Sequence, residues 1–194
     1  MVVDTAVQEK NITFPTDAKN LSRAIIKLGK FSRSHGIQLR QSYARKAKEW
    51  LRKASGYGAA RQSKRLDSCN KDLKNWLGRV LRDIENKREN KEFSAEFQQM
   101  IDLANRLLLQ EKDTPKKIYS LHEPEVCCIG KGKARVRYEF GQKAAIVKTN
   151  DRNWIVNVED FADNPYDGHT LAKSISGAEK ITKVAVKEAD VDKG

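Results

Sequence analysis

The sequence predicts a mixed α/β chain whose extended segments, towards its two ends, flank a long helical middle. Three observations carry that reading. A β-branched run, Val2-Val3, opens the chain, and apolar residues then recur at helical spacing from Leu21 to Leu108. Beyond Pro115 the spacing falls towards the two-residue period of strands.

Residues 2–14 read as an extended segment ending at Pro15, and Thr16-Asp17 follow in position to cap a helix, with Asp17 read as the cap. Leu21, Ala24, Ile25 and Leu28 then share a helical face, and Gly36 stops that helix with His35 in its last turn. A second, basic helix is expected over 38–53, and Ser55-Gly56-Tyr57-Gly58 reads as a loop. From Arg61 onward, Leu66, Leu73, Trp76, Leu77, Val80, Leu81 and Ile84 fall on one helical face. After a break near Glu89-Asn90 a further amphipathic helix carries Phe93, Phe97, Met100, Ile101, Ala104, Leu107 and Leu108. Two such helices joined by a few residues are expected to pack on each other as an antiparallel hairpin, which makes their stripes core rather than a docking surface.

Strands are expected over 126–129, 135–138, 144–149 and 154–158, with a turn at 130–132 and the polar loop Asn150-Asp151-Arg152-Asn153, as in an antiparallel meander. Asn164-Pro165-Tyr166-Asp167-Gly168 reads as a loop, 169–180 as a helix and 184–191 as a last strand.

Composition narrows the function. No apolar stretch approaches the ~18 residues of a membrane span, and the N-terminus shows no basic-then-apolar signal pattern. Cys69, Cys127 and Cys128 are odd in number and two are adjacent, so they make no disulfide framework, and adjacent cysteines near His122 are poorly placed to converge on one zinc ion. Charge is concentrated: residues 21–88 hold 19 Lys/Arg against 5 Asp/Glu, so a local +14 sits on a remainder of −2 within the total of +12. Such a block suits a polyanion, because neutralised phosphates release counterions; the plainer alternative is a solvated helix face.

The run Asp4-Thr5-Ala6-Val7-Gln8-Glu9-Lys10-Asn11-Ile12-Thr13-Phe14-Pro15-Thr16-Asp17 is followed by three further stretches of interest. They are Ile118-Tyr119-Ser120-Leu121-His122-Glu123-Pro124-Glu125-Val126, Lys131-Gly132-Lys133 leading to Tyr138-Glu139-Phe140-Gly141, and Asn164-Pro165-Tyr166-Asp167-Gly168-His169-Thr170-Leu171. Taken in this order, the four resemble the DDE transposases of bacterial insertion sequences. The resemblance implies an RNase H-like α/β (α+β) core with a mixed sheet. It divides the chain into a first core strand at 1–16, a large basic α-helical insertion at 17–114 and the remainder of the core at 115–194. It implies an internal piece truncated at both ends and inactive by itself, from an enzyme of DNA strand cleavage and strand transfer.

The resemblance also implies a metal site. Asp4 matches the first carboxylate of the family's triad, and Asp192, in Asp192-Lys193-Gly194, matches the second, which opens the pattern Asp-Arg/Lys-Gly-Tyr. The third, a glutamate, would fall beyond Gly194. The expected cofactor is a pair of Mg²⁺ ions, with Mn²⁺ as a substitute, one activating the nucleophile and one stabilising the leaving oxygen. Expected partners are double-stranded DNA and a second copy or an intact transposase, with no membrane, in the bacterial cytoplasm at the nucleoid. By local sequence alone, Asp4 is an exposed acid near a terminus and Asp192 a turn residue.

Arg61, Lys64 and Arg65 in the basic block are candidate DNA contacts, as are Lys131, Lys133, Arg135 and Arg137 bordering the meander, where they would position a phosphate backbone without reading bases. Asp167 reads either as turn chemistry before Gly168 or as a group supporting the metal site, and His169 as a helix-opening residue able to touch phosphate. The competing function is a non-catalytic basic helical protein that binds DNA or another partner.

Overall fold

A computed structural model describes residues 1–88, 92–130 and 137–191. Along them run β1 (Val2–Glu9), α1 (Asp17–Ser34), α2 (Ala44–Ala59), α3 (Ser63–Asn86), α4 (Ala95–Leu109), β2 (Cys127–Gly130), β3 (Tyr138–Lys148), β4 (Ile155–Phe161), α5 (Asp167–Thr182) and β5 (Asp190–Val191). The fold is mixed α/β. The chain separates into a sheet unit, Met1–Ile12 with Glu125–Gly194, and a helical unit, Thr13–Pro124.

In the sheet unit β1 pairs antiparallel with β3, from Val2 opposite Lys148 to Glu9 opposite Gly141. The first residues of β3 pair antiparallel with β2 and the later ones with β4. On the other side of β1, β5 runs parallel to it, Val2 opposite Asp190 and Val3 opposite Val191, which makes the sheet mixed. Helix α5 packs on β4, β3 and β1, and Val3, Val147 and Ala178 form the small core beneath it. Alternation along β3 buries Glu139, Gly141, Lys143, Ala145 and Val147. The helix is tied down by Asn157, whose Nδ2 donates to the Ser174 carbonyl at 3.1 Å, and by an ion pair from Lys173 to Glu159.

Three expectations change here. The expected strands at 135–138 and 144–149 are, from Tyr138 onward, one strand: Gly141 continues it because its missing side chain lets β1 come close, a Cβ there falling 2.7 Å from the Gln8 carbonyl carbon. Helix α5 begins at Asp167 rather than His169, because Tyr166 is the extended N-cap and the Asp167 carboxylate suits the positive end of a helix. The last strand shrinks to Asp190–Val191; upstream, the Val186 amide is drawn to Glu179 Oε1 on α5 at 2.8 Å instead of a strand partner.

In the helical unit α1 packs on α2, α3 and α4, so that Leu21, Ile25, Leu28, Leu73, Leu77, Val80, Ile84 and Phe97 share one core. Thr16 is the N-cap of α1, its side chain accepting from the Lys19 amide, and Asp17 is the first helical residue. The stripes of α3 and α4 do meet, but α4 also packs on α1, so they close a common core rather than an isolated hairpin. The expected loop at 55–58 is helical, part of α2: burial of Ala47 and Ala54 offsets the roughly 1 kcal/mol cost of each glycine in a helix. That helix begins at Ala44 rather than residue 38, after a linker pinned to α3. The Arg40 amide donates to Asp83 Oδ2 at 2.7 Å and Lys87 Nζ to the Gln38 carbonyl at 2.5 Å.

Candidate functional site

An open cleft of about 690 Å³ lies within the sheet unit, between the N-terminal end of α5 and the sheet. Val3, Asp4 and Thr5 of β1 line it with Lys143, Asp167, Thr170 and Val191 among others. Alternation along β1 buries Val3 and leaves Asp4 exposed. Thr5, on the same side of the strand as Val3, donates from Oγ1 to Asp167 Oδ1 at 3.0 Å. Lys143 Nζ reaches the same oxygen at 2.7 Å and the Pro165 carbonyl at 2.6 Å. The Lys143 side chain is 10% exposed and that of Asp167 45%, so the ammonium is desolvated while the carboxylate still faces water. Together these bonds fasten the first turn of α5 to β1 and β3.

The candidates from the sequence are distributed as follows. Asp4 is in the cleft, and so is Asp167, whose charge is balanced by Lys143. Asp192 lies outside the described residues, the β1–β5 pairing being described as far as Val3 and Val191, each one residue before an aspartate. His169 is exposed on the first turn of α5, its ring edge-on to Tyr166 at 5.8 Å. Arg61, Lys64 and Arg65 are exposed at the α2–α3 junction and the start of α3, where Arg65 Nη1 donates to Gln62 Oε1 at 3.0 Å. Arg137 is exposed ahead of β3, whereas Lys131, Lys133 and Arg135 lie outside the described residues.

Two members of the cleft were missed from the sequence, Thr5 and Lys143. The signal for Lys143 was present: it shares the phase of Ala145 and Val147, and a cation at an inward position of a strand needs a partner.

The donor set bears on the expected metal. Asp4 offers the exposed carboxylate oxygen that Mg²⁺ or Mn²⁺ prefers, while Asp167, held by an ammonium at 2.7 Å, is a poor second ligand. Among the described residues no group of three or more His, Cys, Asp or Glu comes together to hold a metal. The described residues therefore supply one anchor. No helix among them is long and apolar enough to cross a membrane.

Fold and cleft define a class: a mixed-sheet unit with an exposed aspartate on a central strand, interrupted in sequence by a basic helical unit. No family model matches the chain and no solved structure matches it. Over 60 residues it is 47% identical to a Rhizobium meliloti protein described as the uncharacterized protein ORF8 in the nfe locus. That stretch is 31% of this chain and 29% of the relative's length.

Proposed function

We propose that the sheet unit is an RNase H-like core of the DDE-transposase type, acting on double-stranded DNA, with the helical unit as a basic insertion that holds the duplex. The observation that carries this reading is strand order. β1, β3 and β4 are successively antiparallel, α5 follows, and β5 returns parallel to β1 on its far side. Such an order suits carboxylates at the ends of neighbouring strands, the arrangement that anchors divalent metal over a phosphodiester.

In this reading Asp4 and Asp192 are the anchors, and a bound Mg²⁺ supplies Lewis-acid stabilisation of charge on the phosphodiester oxygens. Lys143 neutralises Asp167 and, with Thr5, holds the first turn of α5 on the sheet, while Asp4 is the exposed carboxylate of β1. Arg61, Lys64 and Arg65 neutralise DNA phosphates, as would Arg137 and, outside the described residues, Lys131, Lys133 and Arg135.

The test is a calorimetric Mn²⁺ titration of the chain, of Asp4→Asn and of Asp192→Asn, beside duplex binding by fluorescence anisotropy at several salt concentrations. Expected are Mn²⁺ binding that each substitution abolishes, and duplex affinity that falls steeply with salt and weakens when Arg61, Lys64 and Arg65 are replaced together by Ala. Duplex binding with no Mn²⁺ uptake, or with uptake indifferent to Asp4, would remove the catalytic reading and leave a non-catalytic DNA-binding protein.

A further inference from the structure

Along α3, Leu73, Leu77, Val80 and Ile84 face the core, and the opposite face carries exposed Lys64, Lys71, Arg79 and Arg82. From Lys64 to Arg82 the helix makes about five turns, roughly 27 Å, and the two residues return to the same azimuth. The basic stripe therefore runs the length of the helix, beyond its first turn.

Its far end has a built shape. Arg40, Gln41 and Tyr43 of the α1–α2 linker meet Arg79, Arg82, Asp83 and Asn86 of α3 around a pocket of about 280 Å³. Asp83 is the acid among them, and it is already committed. Its Oδ2 accepts from the Arg40 amide at 2.7 Å and its Oδ1 lies 3.0 Å from Lys87 Nζ. Burial pushes the Asp83 carboxyl up, and the Arg40 amide with the Lys87 ammonium outweighs that and holds it below the usual carboxylate value. Arg40 Nε is 3.9 Å from Asp83 with its side chain 89% exposed, a contact of little strength. Among the described residues, neither Arg79 nor Arg82 has a carboxylate partner.

The wall opposite these arginines is under strain. Tyr43 has φ 54°, a left-handed conformation that is unfavourable for a bulky side chain. It is kept there by stacking on Trp76 at 5.6 Å between ring centroids, and its hydroxyl accepts from Arg79 Nη1 at 3.3 Å. The linker is thus pinned over the arginines, which fixes the pocket before any ligand arrives.

We infer that the Arg40–Arg79–Arg82 pocket is a seat for a backbone phosphate of double-stranded DNA, and that the α3 stripe from Lys64 to Arg82 is the track along which the duplex lies. This rests on duplex DNA being the partner. Guanidinium forks match phosphate oxygens in pairs, and the Gln41 and Asn86 amides add neutral donors at the same pocket.

The experiment is anisotropy of a fluorescent duplex of arbitrary sequence with the full chain, from low to high salt. Variants are Arg79→Gln with Arg82→Gln, the same pair changed to Lys, and the triple Arg61, Lys64 and Arg65 to Ala. Circular dichroism checks that each is folded. The Gln pair is expected to weaken binding roughly tenfold or more at low salt and to make the slope of log K against log salt shallower by about 2. The Lys pair keeps the charge and should keep most of the slope. Wild-type binding matched by the Gln pair overturns the phosphate seat while leaving DNA as the partner. A Gln pair and a Lys pair equally impaired overturns it too, since the loss would not follow charge. No duplex binding by the wild-type chain removes the partner and the seat together.

Discussion

Replacing Lys143 by Met tests whether the cleft is held together electrostatically. The Nζ to Oδ1 distance of 2.7 Å corresponds to a gross attraction of about 6 kcal/mol at an effective dielectric constant of ~20. Most of that is offset by stripping water from the ammonium, whose side chain is 10% exposed. Asp167, 45% exposed, is partly screened, so the pair falls between surface pairs at roughly 0.2–1 kcal/mol and fully buried ones at about 3–5. A coupling of about 1–2 kcal/mol follows. Met retains the aliphatic stem but also strips the Pro165 carbonyl of its donor, which brings the expected loss for the single variant to about 2 kcal/mol. For a chain of this size that is a fall in Tm of roughly 4–8 °C. Urea titrations of Lys143→Met, Asp167→Asn and the double variant close a double-mutant cycle. Additivity within about 0.3 kcal/mol would show that the two charges do not act on each other, and the account of the cleft would be refuted.

Two other perturbations probe neighbouring parts of the argument. Gly141→Ala places a Cβ 2.7 Å from the Gln8 carbonyl carbon and 3.0 Å from Glu9 Cα, both backbone atoms that cannot turn away, so a loss of about 3 kcal/mol is expected in the same titration, and an unchanged midpoint would mean that β1 and β3 are not so closely paired. Asp83 has its folded pKa lowered, so its contribution is present above the unfolded value and lost as pH falls through the folded one; with Arg40, Lys87, Arg79 and Arg82 as the charges facing it, Asp83→Asn should lower stability at pH 7 and flatten the acid limb below about pH 3.9, and an acid limb identical to wild type would contradict that.

The helices were legible because apolar periodicity reports a buried stripe directly: every stripe residue of α3 from Leu73 to Ile84 except Trp76 is buried. Trp76 is partly buried, covered by Tyr43, which stacks on it, and by Trp50, which meets it edge-on, a cluster that a stripe cannot announce. Breaks were read less well. Glycine is a weak local penalty, so Gly56 and Gly58 stay helical where α2 has a partner to pack on, and Gly141 stays in a strand because a neighbouring backbone needs the space. In each case a tertiary contact decides what the residue's own preference leaves open.

The cleft was half legible for a related reason. Asp4 and Asp167 stood out through their sequence contexts, but the role of Asp167 depends on what lies across the sheet, 162 residues from Thr5 and 24 from Lys143. Register decides it. Val7 pairs with Lys143 and Thr5 with Ala145, so the cation and the hydroxyl arrive on one face of adjacent strands, beneath the first turn of α5. A slip of one residue would turn Lys143 to the opposite face and bury Gln142 in its place, leaving Asp167 without its ammonium. Gly141 guards against that slip, because the close approach of Gln8 and Glu9 is tolerated at that position only by a residue with no side chain. Gly141, in the gap left between two expected strands, thus helps to set the charge balance around Asp167, and the Lys143 and Gly141 variants should disturb the same cleft by different routes.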